Sequence, residues 1–141
     1  MAAGIRQLVP NDLYRSPIPD QLWDRIRVEF GLPALDQVRE RISAVREDSE
    51  AVMQQIVRVF MHDGRTYCPG FQFRPDVTLE PVVVALFVRA MELRVAHNYF
   101  ALWMMVPSPA LRGSRPVDLR RNGDASLLLA GLERTFTDTA A

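Results

Sequence analysis

The chain has 141 residues, equal numbers of basic and acidic side chains (17 each) and an apolar content of 48%. That length and apolar content support a core burying roughly two-thirds of the unfolded surface and exclude a disordered chain. Zero net charge removes bulk electrostatics as an argument for nucleic acid and leaves only a locally basic face. Cys68 is the single cysteine, which excludes an intrachain disulfide, and no apolar run nears the ~20 residues of a bilayer span, so a cytoplasmic protein without membrane attachment is expected.

Residues 1–17 hold Pro10, Asn11, Ser16 and Pro17 without sustained periodicity and are expected to form an extended arm, anchored by Leu8, Leu13 and Tyr14. Pro19 opens a helix in which Leu22, Trp23, Ile26 and Phe30 recur at helical spacing, and Gly31 ends it. Pro33 restarts a helix with Leu35, Val38, Ile42 and Val45 along one side. Residues 49–56 follow with Val52, Met53 and Ile56 inward, either as a third helix or as a continuation of the second. Val57-Arg58-Val59-Phe60-Met61, the turn pair Asp63-Gly64 and Arg65-Thr66-Tyr67-Cys68 predict a β-hairpin. Three helices and a hairpin have the outline of a winged helix-turn-helix. In it Arg39, Arg41, Arg46, Arg58 and Arg65 are the candidate DNA-phosphate contacts, with Glu40, Glu47, Asp48 and Glu50 among them.

Pro69-Gly70-Phe71-Gln72-Phe73 reads as an edge strand or a connector clamped into the core. Thr78 is the expected N-cap of a helix over residues 79–95, with Glu80 and Pro81 in its first turn. Its Val82, Val83, Leu86, Phe87, Ala90, Met91 and Leu93 cover more than one face, which calls for burial at the centre of the domain or across an oligomer interface. After a break near Ala96-His97-Asn98, a second apolar helix runs from Tyr99 into Pro107 and Pro109. A loop with Gly113 follows, and Pro116 re-enters a helix. Asp124 is the expected N-cap of the last helix, over residues 125–136, where Leu128, Leu129, Leu132 and Phe136 share a spacing and Gly131 costs about 1 kcal/mol. Its apolar surplus either packs on its own domain or serves a partner.

No phosphate-cradling glycine loop or nucleophile elbow is present, and His62, His97 and Cys68 stand at none of the usual ligand spacings. The residues therefore predict a mainly α protein, a helical bundle with a small β-hairpin, that binds something. No catalytic residue, metal or cofactor is expected. The expected division is an arm over residues 1–17, a helical region with the hairpin over 18–76 and a helical binding domain over 77–141.

One stretch carries more. Trp103 closing an apolar helix, Pro107, Leu111, Gly113, then Pro116-Val117-Asp118-Leu119 resembles the signature of the MbcA/ParS/Xre antitoxin family, the toxin-binding domain of type II toxin–antitoxin operons. Pro69-Gly70-Phe71-Gln72-Phe73 is similar to a segment that precedes this domain in many members. The chain departs from the pattern at Met104, Met105, Ser108, Arg112, which stands where glycine is usual, and Arg120. The signature residues are expected to be structural, with Asp118 bonding early N–H groups or Arg115. The resemblance implies an antitoxin that inhibits a cognate RES-domain toxin, an NAD-consuming enzyme, by occluding its active site with the C-terminal part of the chain. Arg115, Arg120, Arg121, Leu128, Leu132 and Phe136 are the candidate contacts, since apolar and arginine side chains dominate binding hot spots. It also implies a homodimer or a hetero-oligomer with the toxin, and binding to operator DNA through the N-terminal region. The alternative reading is a stand-alone DNA-binding transcriptional regulator.

Overall fold

The computed structural model describes residues 13–138, without the side chain of residue 138; the arm's residues 1–12, Leu8 among them, and residues 139–141 lie outside the described residues. The fold is mainly helical with a small antiparallel hairpin. In chain order the elements are α1 (Asp20–Glu29), α2 (Leu35–Val45), α3 (Ser49–Met53), β1 (Val59–Phe60), β2 (Thr66–Tyr67), α4 (Pro81–Glu92), α5 (His97–Met105) and α6 (Ala125–Asp138). Short 3-10 turns occupy Gly70–Gln72, Pro109–Leu111 and Pro116–Leu119.

One large apolar core joins both halves of the chain. Leu22, Trp23 and Ile26 of α1, Val59 of β1, Phe71, and residues of α4, α5 and α6 are buried in the same cluster. The proposed boundary between residues 76 and 77 is thus crossed by shared packing. A second cluster holds Val38 and Ile42 of α2, Val52 and Met53 of α3, Ile56 and Cys68. The first three helices and the hairpin occur in the expected order, but α1 joins the large core while α2 and α3 build the small one.

The helix boundaries follow local chemistry. The second and third helices are separate, because Arg46 is extended (φ −134°, ψ 135°) and ties its guanidinium to Asp48. Val45, expected to face inward, lies beyond the small core and is 60% exposed. Thr78 is not a cap. Its N–H and hydroxyl both donate to Asp76 Oδ1, an Asx turn that keeps the chain out of the helix. The helix begins at Pro81 after the extended Glu80. It ends at Glu92 because Arg94 turns left-handed (φ 62°), letting the Val95 N–H reach the Ala90 carbonyl at 2.9 Å. Asp124 does accept from the backbone N–H of Ser126 at the start of α6 (2.8 Å).

Pro69–Phe73 is a connector, and it sits close to the end of α1: a Cβ on Gly70 would stand 2.0 Å from the Phe30 carbonyl oxygen, so only glycine fits. The buried Gln72 then acts as a strand surrogate. Its Oε1 accepts from the Val57 N–H (2.8 Å) and its Nε2 donates to the carbonyls of Val57 and Pro69, both at 3.0 Å. On the opposite edge the Arg58 N–H donates to His97 Nδ1 (2.9 Å). Asn98 exchanges two bonds with the backbone of Phe60, at 3.0 and 2.9 Å. His97 and Asn98, at the start of α5, thereby cover the edge of β1 that β2 does not pair, which removes an open template for strand addition, while Gln72 bridges Val57 to Pro69 on the β2 side.

Candidate functional site

The stretch after α5 folds back under α6. Trp103, 1% exposed, donates Nε1 to Thr135 Oγ1 (3.3 Å), and Thr135 donates in turn to the Gly131 carbonyl (2.8 Å). The 3-10 turn at Pro109–Leu111 lies on α6 where Gly131 has no side chain: a Cβ there would meet Leu111 Cδ2 at 3.4 Å and the Ala110 Cβ at 3.6 Å. That close packing offsets part of the helical cost of Gly131. The Ser108 carbonyl accepts from both Leu111 and Gly113, and the Ser108 N–H donates to the Ser114 carbonyl. Closing this loop requires two successive left-handed residues, Arg112 (φ 57°) and Gly113 (φ 84°). Pro116 opens a 3-10 turn and not an α-helix, which starts only at Ala125.

Arg115 binds two carboxylates at once. Its Nε and Nη2 donate to the two oxygens of Asp118 (2.9 and 2.8 Å), and its Nη1 and Nη2 to those of Glu29 (3.1 and 2.9 Å). Hydrogen bonds from Arg115 hold both acids below their ordinary values, and the same bonds raise the arginine. Of the two roles expected for Asp118, the ion pair with Arg115 is present. The cluster ties this turn to the C-terminal end of α1, so Arg115 is occupied inside the fold.

Arg120 and Arg121 are occupied as well. Glu80, only 1% exposed, accepts from Arg74 Nε (3.2 Å) and Arg121 Nε, with Arg120 Nε at 3.9 Å. Arg120 is mostly buried: its Nη1 donates to the Val117 carbonyl (2.7 Å) and its guanidinium lies 5.0 Å from the Phe30 ring centre. Arg121 keeps half of its side chain in solvent.

The expected apolar contacts divide. Leu128 and Leu132 are 0% exposed and belong to the core, so in this fold they offer a partner no surface. Phe136 is half-buried, its ring 4.9 Å edge-on to Tyr14, one of the residues expected to hold the arm. The outer face of α6 is instead formed by Leu127, 50% exposed, with Ala130 and Arg134 at helical spacing beyond it. In the run Leu127-Leu128-Leu129 one leucine had to face outward, but periodicity alone gave the face to 128 and 132 and passed over its neighbour.

Three of the five arginines considered for DNA are engaged by neighbouring side chains. Arg39 pairs with Glu50 (2.8 Å), Arg46 with Asp48, and Arg65 lies over the Tyr67 ring. Arg58 Nε is buried without a hydrogen-bond partner among the described residues. Arg41 is exposed and, among the described residues, makes no ion pair; it faces a cleft apart from the other four. The described residues contain no group of three His, Cys, Asp or Glu side chains placed to hold a metal ion, and no helix long and apolar enough to cross a membrane. The Cys68 thiol is buried in the small core and pushed up to about 12 by desolvation. It is apolar filler rather than a thiolate. No family model, curated protein or solved structure matches the chain.

Proposed function

We propose that the chain is an antitoxin of the MbcA/ParS/Xre kind that binds a cognate RES-domain, NAD-consuming toxin and occludes its active site. The reading rests on the signature from Trp103 to Leu119. The observation that carries it is Arg112: the position where the family pattern has glycine is left-handed here, as a glycine position would be. The signature acts as a frame. Trp103, Leu111 and the Arg115–Asp118–Glu29 cluster set the direction in which α6 leaves the core, and α6 presents the contact surface. On that surface Leu127, Ala130 and Arg134 replace the buried Leu128 and Leu132 as contact residues. The protein performs no catalysis in this reading, and the operator binding that the resemblance implies runs through the N-terminal region.

Co-expression with the product of the neighbouring gene tests the proposal. The expected result is a co-purifying complex and restored growth, both lost in Leu127→Asp while the thermal midpoint of the free chain stays unchanged. A toxic neighbour that neither binds the chain nor is neutralised by it overturns the reading. Specific, salt-sensitive binding of the isolated chain to its own promoter fragment would favour the regulator instead.

A further inference from the structure

Five of the arginines of this neutral chain line one cleft. A cleft of about 660 Å³ opens between the turn after α1, the corner after Phe73 and the turn before α6. Arg27, Arg41, Arg74, Arg120 and Arg121 line it, with the half-buried ring of Phe30. Of the acids nearby, Asp24 pairs with Arg27 (3.0 Å), Glu29 and Asp118 share Arg115, and Glu80 is buried behind the cleft and shared among three arginines. One carboxylate cannot neutralise three guanidinium groups. Burial first, and then the charge of Arg121, lower the pKa of Arg120 against the opposing pull of Glu80 and Asp118, and its Nε has no hydrogen-bond partner among the described residues. Arg41, unpaired among the described residues, brings a further charge from α2.

We propose that this cleft is a binding site for a phosphorylated small molecule carrying at least two phosphate groups. Guanidinium forks match phosphate oxygens in pairs, and Glu80 holds those of Arg74 and Arg121 in place before a ligand arrives. A lone carboxylate fits less well, because the site already contains one and remains in positive surplus. The arginines converge on one concavity of ligand size instead of following a line along the surface, which separates this site from a track for a nucleic-acid backbone. The Phe30 ring and the adjoining prolines give the non-phosphate part of the ligand an apolar wall. The inference is independent of the toxin reading, since the contact face proposed on α6 is made of other residues.

Titration calorimetry of the full chain with pyrophosphate, ADP and adenosine tests it. Pyrophosphate is expected to bind saturably at one site and to weaken several-fold as salt is raised, as a contact made through charge must. ADP is expected to bind at least as tightly, and adenosine not at all. Arg41→Glu should weaken pyrophosphate about tenfold with the thermal midpoint unchanged, whereas Arg39→Glu, on the same helix but outside the cleft, should leave the affinity unaltered. Absence of saturable binding, adenosine binding as tightly as ADP, or equal losses in the two variants would each overturn the assignment.

Discussion

Two polar networks lie inside this protein, and they are built on opposite terms. Along residues 57–60, on the two sides of the strand, the neutral side chains of Gln72, His97 and Asn98 take over hydrogen bonds that a neighbouring strand would make. Around Glu80 a buried carboxylate faces three arginines and cannot satisfy all of them. The first network spends its polar groups on closing the fold, with donor matched to acceptor. The second carries surplus charge, and surplus charge is what a ligand or partner can use. Where the chain is neutral and matched it is structural; where it is charged and unmatched it is available for binding.

Removing one group from each network sharpens the contrast. Gln72→Leu keeps the volume but leaves the N–H and carbonyl of Val57 and the carbonyl of Pro69 unpaired at buried positions. With an unmade buried bond costing about 1–3 kcal/mol, the variant should lose about 3 kcal/mol or more in urea unfolding, insensitive to salt. Glu80→Gln should cost less, about 2 kcal/mol. Arg74 and Arg121 are each half exposed and water takes over much of what the carboxylate supplied; only Arg120 stays buried and unbalanced. The loss in Glu80→Gln should shrink as salt rises, because what remains is repulsion among arginines. A salt-insensitive Glu80→Gln, or a Gln72→Leu that unfolds like the parent, would break the distinction.

Sequence separation explains what could be read in advance. The ends of α1 at Pro19 and Gly31, the turn at Asp63-Gly64 and the cap at Asp124 depend on neighbours a few residues away, and each was legible. The bonds that Gln72, His97 and Asn98 make to β1 join residues 15, 39 and 38 apart, and Arg115 meets Glu29 across 86. No periodicity encodes such pairings. The same limit applies to the contact surface. Helical spacing identified an apolar stripe on α6, but stripes of this kind are what a core consumes, so Leu128 and Leu132 were assigned to a partner when the fold itself uses them. The arginines failed likewise: Arg115 and Arg120 look like surface charges in sequence because Glu29 and Phe30, at the end of α1, and Glu80, just before α4, are far from them along the chain. The cleft escaped notice for a related reason, its lining being drawn from four separate segments.

The smallest expected effect is also the one that reaches the neutral network through pH. His97 can accept from the Arg58 N–H only while Nδ1 is unprotonated, and both its burial and the nearby Arg58 guanidinium lower its pKa from the usual 6.5. The folded state therefore resists a proton that the unfolded chain takes up. Above the unfolded value both states are neutral and the contribution of His97 is complete. As pH falls through 6.5 toward the lowered folded value, the unfolded state binds more protons and stability declines; below the folded value there is no further loss from this residue. Asp48, Asp63, Asp76 and Asp118 are all held below the ordinary aspartate value of 3.8, so their contributions fail only at more acid pH and leave the His97 window clear. Urea unfolding at pH 7.5, 6.5 and 5.5 should show a decline in the parent and a flatter profile in His97→Gln, whose amide keeps an acceptor but cannot titrate. A parent that is equally stable across that range would mean that the edge of β1 does not depend on a neutral imidazole, and that His97 is less tightly held there than Asn98.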